Sequence, residues 1–146
     1  MKKNIRELKF SELEDLLIKL KEPAYRARQI YRWLWREKVS SFDQMTNISK
    51  SCQNYLSQNY SIQYVAIDTL IKSNDGTIKF LFKLSDGNKC EGVLIPEKNR
   101  ITACVSSQVG CSFSCKFCAT GKMKRIRNVF SYEIFDQVSL MKKEEE

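Results

Sequence analysis

The sequence predicts an α+β to α/β chain, and two patterns predict it. Apolar residues recur at helical spacing over the first 60 residues, and from residue 62 the period becomes that of strands. A third observation locates the chemistry: four of the six cysteines, Cys104, Cys111, Cys115 and Cys118, fall within 15 positions, in the last of these strands and just after it.

The elements follow in order. Ser11 with Glu14 makes a capping box, and Leu13, Leu16, Leu17 and Leu20 fall at i, i+3, i+4 and i+7 of a first helix. Pro23 suits the first position of a second helix, whose apolar face is Ala27, Ile30, Tyr31 and Leu34. Arg28, Arg32 and Arg36 stand four apart on it as a basic stripe. Ser41 with Gln44, and Ser49 ahead of KSCQNYLSQNY, predict further helical starts.

The segments QYVAIDTLIK, TIKFLFKL, CEGVLIPE and ITACVSSQ are rich in β-branched and aromatic residues. They are separated by Asn74-Asp75-Gly76, Ser85-Asp86-Gly87-Asn88 and Lys98-Asn99-Arg100, which predict tight turns between strands. After the cysteines, Ser131 can cap a last helix with Ile134, Phe135, Val138 and Met141 on its buried side.

A chain of 146 residues with 42% hydrophobic and 29% charged residues has the composition of a soluble globular protein. The charged start, MKKNIRELKF, has no apolar run behind it, so neither a signal peptide nor a membrane span is expected, and the expected location is cytoplasmic. A formal net charge of +8 favours a polyanionic partner, although a basic and inert surface fits composition equally well. Histidine is absent, which excludes histidine-based triads, histidine-ligated zinc and imidazole bases.

Six cysteines without an export signal argue for metal or redox work rather than a disulfide framework. In CSFSCKFC the spacing is C-x3-C-x2-C, so Cys111, Cys115 and Cys118 can converge on one cubane. A 4Fe-4S cluster normally takes four thiolates; three leave one iron open to chelate S-adenosylmethionine (SAM), the pattern of radical SAM proteins. Two plainer possibilities remain: a zinc site completed by Cys104, whose seven-residue offset from Cys111 is unusual for zinc, and unligated thiols. Glu91 lies in an apolar strand where burial would make a carboxylate a usable base, or else it is an exposed strand residue. Cys104, between Ala103 and Val105, reads by itself as a buried, inert thiol. Lys116, Lys122, Lys124, Arg125 and Arg127 follow with no acid between Cys104 and Glu133, as a solvated face or a phosphate contact.

EGVLIPE, ITACVSSQVGC, CKFCATG, Arg127-Asn128 and EIFDQV, in this order, closely resemble the radical SAM adenine-C2 methyltransferases of the RlmN type. That resemblance covers nearly the whole chain. It implies a small helical accessory, RNA-contacting domain over 1–60, a β-hairpin extension over 61–98, and over 99–146 the truncated start of a radical SAM partial (βα)6 barrel. The implied activity is methylation of carbon 2 of an adenine in 23S rRNA and in tRNA, through a methyl-cysteine carrier. The implied cofactors are a 4Fe-4S cluster and SAM, and an external electron donor such as flavodoxin is the implied redox partner.

By the same resemblance Cys111, Cys115 and Cys118 hold the cluster, and Phe117 lies near SAM. Glu91 matches the proton acceptor, and Cys104 the resolving thiol that forms a transient disulfide with a distal cysteine. Lys122, Lys124, Arg125, Arg127, Arg28 and Arg32 are the expected RNA contacts. Near position 124 the family has glycine where this chain has lysine.

A barrel of six βα units at about 30 residues each needs roughly 180 residues. Only 46 follow Arg100, so the Gly-Glu-Pro segment that contacts SAM and the methyl-carrying cysteine are not expected here, and the 146 residues alone are expected to be catalytically silent. The alternative to an enzyme segment is a basic RNA-binding module with a structural cysteine-metal site.

Overall fold

The computed structural model describes residues 2–109 and 127–145. It divides into two units, Met1–Gln63 and Tyr64–Glu146.

In the first unit the ends of the segment are tied by two short strands, β1 (Lys3–Asn4) and β2 (Tyr60–Ser61), paired in parallel. Between them run α1 (Phe10–Lys19), α2 (Arg26–Arg32) and α3 (Lys50–Asn59). Helix α1 starts ahead of the expected Ser11–Glu14 box: the Glu12 carboxylate accepts the Lys9 N–H at 2.6 Å, satisfying a donor that α1 leaves open. Pro23 stands before α2 in a helical turn, its carbonyl accepting the Arg26 N–H at 3.0 Å. Helix α2 passes into a π-helical turn, Trp33–Glu37, that ends at Lys38 in the left-handed conformation (φ 52°). Ser41 precedes a single 3-10 turn, Phe42–Gln44, of which Gln44 is the last residue, and Ser49 caps α3 by accepting the Cys52 N–H at 3.3 Å.

The apolar positions of these helices meet in one core of Leu13, Leu17, Ala27, Ile30, Leu34, Met45 and Leu56, with Tyr31 packed at its edge. Arg6 is buried beside it, donating to the Gln63 carbonyl at 3.2 Å with its guanidinium 4.7 Å from the Trp35 ring centre. A residue counted in the basic surplus is thus an interior tie.

The second unit is a four-stranded antiparallel meander: β3 (Ala66–Lys72), β4 (Ile78–Lys83), β5 (Lys89–Glu97) and β6 (Arg100–Cys104). Gly76 and Gly87 take positive φ (91° and 88°) in the first two turns, while Asp75 and Asp86 accept the N–H two residues on. The expected last strand stops at Cys104. A separate two-residue strand, β7 (Gln108–Val109), pairs with β8 (Arg127–Asn128), and α4 (Ser131–Glu145) follows. Strand alternation sends Phe80, Phe82, Cys90 and Leu94 into a core that Met141 of α4 completes.

Helix α4 does not bury the face the sequence suggests. Tyr132, Glu133, Asp136 and Gln137 are buried with Met141, while Phe135 and Val138 are 40% and 46% exposed. The polar side chains go inside because each meets a backbone group: Asp136 accepts the Val65 N–H at 3.0 Å, and Gln137 accepts the Ser106 N–H at 3.0 Å and donates to the Ser106 carbonyl at 3.1 Å. Among the described residues no helix is long and apolar enough to cross a membrane.

Candidate functional site

Glu91 owes its position to its neighbour. A Cβ at Gly92 would run into the side chains of Met141 and Phe82, so only glycine lets β5 lie this close to α4. With Gly92 on the core face, alternation turns Glu91 to the other face of the sheet. There its side chain is 30% exposed, with its carboxylate 3.6 Å from Lys79 Nζ. Of the two readings the sequence left open, a buried base and an exposed strand residue, the structure gives a position between them, because among the described residues the packed core lies on the other face of the sheet. Thr69, Ile71, Lys79, Phe80, Leu81 and Glu91 line a hollow of about 170 Å³. Beneath it the Ser106 hydroxyl donates to the Glu91 carbonyl at 2.6 Å and pins that backbone.

Cys104 ends the edge strand β6, opposite Val93. Glu91 and Val93 share a face, so Cys104 is the diagonal neighbour of Glu91 on it, a relation that in antiparallel pairs spans about 7–8 Å between Cα atoms. Cys104 is exposed, not the buried thiol its apolar neighbours suggest, because among the described residues the edge strand β6 has no partner on its far side. Cys52 and Cys90 are buried, and burial pushes both thiols up to about 11, with Glu22 adding to the shift at Cys52 and Glu133 at Cys90. No disulfide joins the cysteines of the described residues.

This contrast makes a measurable prediction. At pH 8, alkylation followed by peptide mapping should label Cys104 rapidly and leave Cys52 and Cys90 protected until the chain unfolds. Above the ordinary thiol value of 9.0 the unfolded chain would lose protons that the folded chain keeps until about 11. Stability should therefore fall as pH rises through that window.

Cys111, Cys115, Cys118, Phe117, Lys122, Lys124 and Arg125 lie outside the described residues. The strands on either side of that segment are described: Gln108 faces Asn128 and Val109 faces Arg127. Arg127, expected to contact RNA, turns inward instead. Its guanidinium donates to Glu133 at 2.8 and 3.0 Å and to Asp86 at 2.8 Å, leaving the side chain 22% exposed. The hydrogen bonds to Glu133, ahead of those to Asp86, raise its pKa further above the ordinary arginine value. The sequence does not show these two acids as its partners: Asp86 reads as turn chemistry, and Glu133 lies off the face of the last helix expected to be buried.

Arg28 and Arg32 are both exposed on α2 in the first unit. Arg32 Nε lies 3.5 Å from Glu37, an exposed pair that contributes little and leaves the guanidinium accessible.

Comparison with known proteins agrees with this architecture. Residues 3–62 match the family described as the ribosomal RNA large subunit methyltransferase N-terminal domain. The chain is 56% identical over 141 residues to the probable dual-specificity RNA methyltransferase RlmN of Cytophaga hutchinsonii, covering 97% of this chain and 39% of that protein. It is 44% identical over 135 residues to the dual-specificity RNA methyltransferase RlmN of Solidesulfovibrio magneticus, covering 92% of this chain and 38% of that one. A crystal structure of a radical SAM methyltransferase from Sphaerobacter thermophilus superposes with a TM-score of 0.74 at 36% identity, over 98% of this chain and 42% of that one. The chain thus spans about two fifths of the length of the curated relatives it matches. Residues 3–62 match the family's N-terminal domain, and nearly the whole chain is similar to an N-terminal portion of the RlmN-type methyltransferases.

Proposed function

We propose that this chain is the N-terminal part of a radical SAM RNA methyltransferase that methylates carbon 2 of an adenine in 23S rRNA and in tRNA. The observation that carries the reading is the shared sheet face of Glu91 and Cys104: a carboxylate and an accessible thiol, brought to one open surface by register.

Cys111, Cys115 and Cys118 are the residues that would hold a 4Fe-4S cluster. Their donor chemistry fits it, three soft thiolates leaving one iron open for SAM. When bound, the cluster would supply the electron that cleaves SAM and starts radical chemistry on the methyl group, with flavodoxin or a similar donor as its source. The work assigned to this chain is at the base. Glu91 takes the proton from carbon 2 of the adenine once the new carbon–carbon bond has formed. Cys104 then attacks the distal cysteine sulfur joined to the RNA adduct: the S–S bond forms as the S–C bond breaks, and the departing carbon keeps that electron pair and takes up a proton to become the methyl group.

Phe117 is assigned to the neighbourhood of SAM, and Lys122, Lys124, Arg125, Arg28 and Arg32 to RNA phosphates. Arg127 is left out of that set because its donors are engaged within the fold. The three domains are assigned as 1–60, 61–98 and 99–146, and the enzyme would work in the cytoplasm. The isolated chain carries the base and the resolving thiol but no methyl carrier, and is expected to transfer no methyl group.

Anaerobic iron–sulfide reconstitution tests the assignment of the cysteines. The expected product is brown, carries about four irons per chain, and is lost when Cys115→Ala is introduced. A colourless product that binds zinc stoichiometrically, or RNA binding as the sole property and indifferent to all three cysteines, would overturn the reading.

A further inference from the structure

The neck on which the cysteine segment stands is short. Strands β7 and β8 share two residue pairs, closed by the Val129 N–H donating to the Ser107 carbonyl at 3.0 Å. A ladder of this size is marginal by itself, so its register must be held from outside.

Helix α4 holds it with two side chains. Glu133 and Gln137 are four apart, lie on one face of the helix, and are both 0% exposed. Gln137 grips the entering limb through the N–H and C=O of Ser106. Glu133 grips the leaving limb through both donor arms of Arg127 and through the Phe130 N–H at 2.7 Å. The remaining Nε–H of Arg127 donates to Asp86 in the β4–β5 turn, whose other oxygen accepts the Asn88 N–H at 3.1 Å. One guanidinium therefore joins β8, α4 and the sheet, in the bidentate geometry that lysine cannot reproduce.

We infer that Arg127, clasped by Glu133 and opposed by Gln137 on the same helix, is a positioning residue that fixes where the chain enters and leaves the cysteine segment. The inference rests on the proposal that the three cysteines hold a cluster. Its chemistry is general: a site whose supporting contacts are fixed beforehand does not have to order itself on binding.

The test uses the 146-residue chain with Arg127→Lys, which keeps the charge and loses the fork, and with Arg127→Met combined with Glu133→Gln, which removes both charges of the buried pair and leaves the 40% exposed Asp86 to solvent. Three quantities are measured: the thermal midpoint, hydrogen exchange at the Val129 N–H, and the rate at which a chelator strips iron from the reconstituted protein. Both variants are expected to melt within a few degrees of the parent. Exchange at Val129 and iron loss should each quicken about tenfold or more, since charge-assisted hydrogen bonds are among the strongest lost.

Unchanged exchange at Val129 in a folded variant would overturn the clasp. Faster exchange with iron held as long as in the parent would overturn its positioning role, because a merely structural residue behaves that way. A parent chain that takes up no iron counts against the cluster proposal, and the exchange measurement then judges the clasp alone. Should the double variant fail to fold, the lysine variant carries the same comparison.

Discussion

Replacing Glu91 by Gln in a full-length enzyme that carries this sequence as its N-terminal portion is expected to slow methyl transfer by about 10²- to 10⁴-fold, the range that a positioned general base contributes. The glutamine keeps the shape of the side chain and loses the ability to take a proton. The effect on folding should be small, because the carboxylate is 30% exposed and its ionic contact among the described residues, Lys79 at 3.6 Å, is a solvent-accessible pair of the kind that contributes about 0–1 kcal/mol. Its backbone is held independently, by Gly92 against Met141 and by the Ser106 hydroxyl. Turnover should therefore collapse while the thermal midpoint stays in place. If the base acts after the carbon–carbon bond has formed, the RNA should remain linked to protein, as a band that survives denaturation. Turnover at the parent rate would remove Glu91 from the mechanism.

Much of this arrangement was legible in the sequence, and the reasons for the rest are specific. The meander could be read because alternation and turn residues are local: Gly76 and Gly87 occupy the turns that Asn-Asp-Gly and Asp-Gly-Asn predict. The cores of α1 and α2 could be read because Leu13, Leu17, Ala27, Ile30 and Leu34 follow helical spacing. The start of α1 was displaced because a glutamate can satisfy the helix's first donors without the hydroxyl half of the box. Burial at Cys104 differs from its apolar context, and burial at Glu91 stays open in the sequence, because both depend on what covers a strand, which no strand sequence states. Arg127 looked like one more member of a basic stretch because Asp86, its partner, lies 41 residues away. Lys79 beside Glu91 was missed for the same reason, since register alone brings them together.

The buried face of α4 is where pattern and structure disagree most, and two substitutions separate them. Helical periodicity puts Phe135 inside with Ile134, Val138 and Met141; the structure leaves Phe135 40% exposed and Glu133 fully buried. Glu133→Ala removes both acceptors of the Arg127 fork and the acceptor of the Phe130 N–H. Breaking a buried pair from one side costs about 3–5 kcal/mol. Here the lower end applies, because Arg127 keeps Asp86 and is itself 22% exposed. Phe135→Ala uncovers little, and its cost should stay below about 1 kcal/mol, as for other surface substitutions. In a unit of this size a loss of about 3 kcal/mol lowers the melting midpoint by ~12 °C or more, so the two variants should be plainly resolved by thermal denaturation. Equal destabilisation, or the reverse order, would show that α4 packs through Phe135 as its sequence period implies. The predicted order would show that its inward face is chosen by hydrogen-bond partners distant in sequence, with Glu133 holding Arg127 and Gln137 holding Ser106 on the two limbs beside the cysteines.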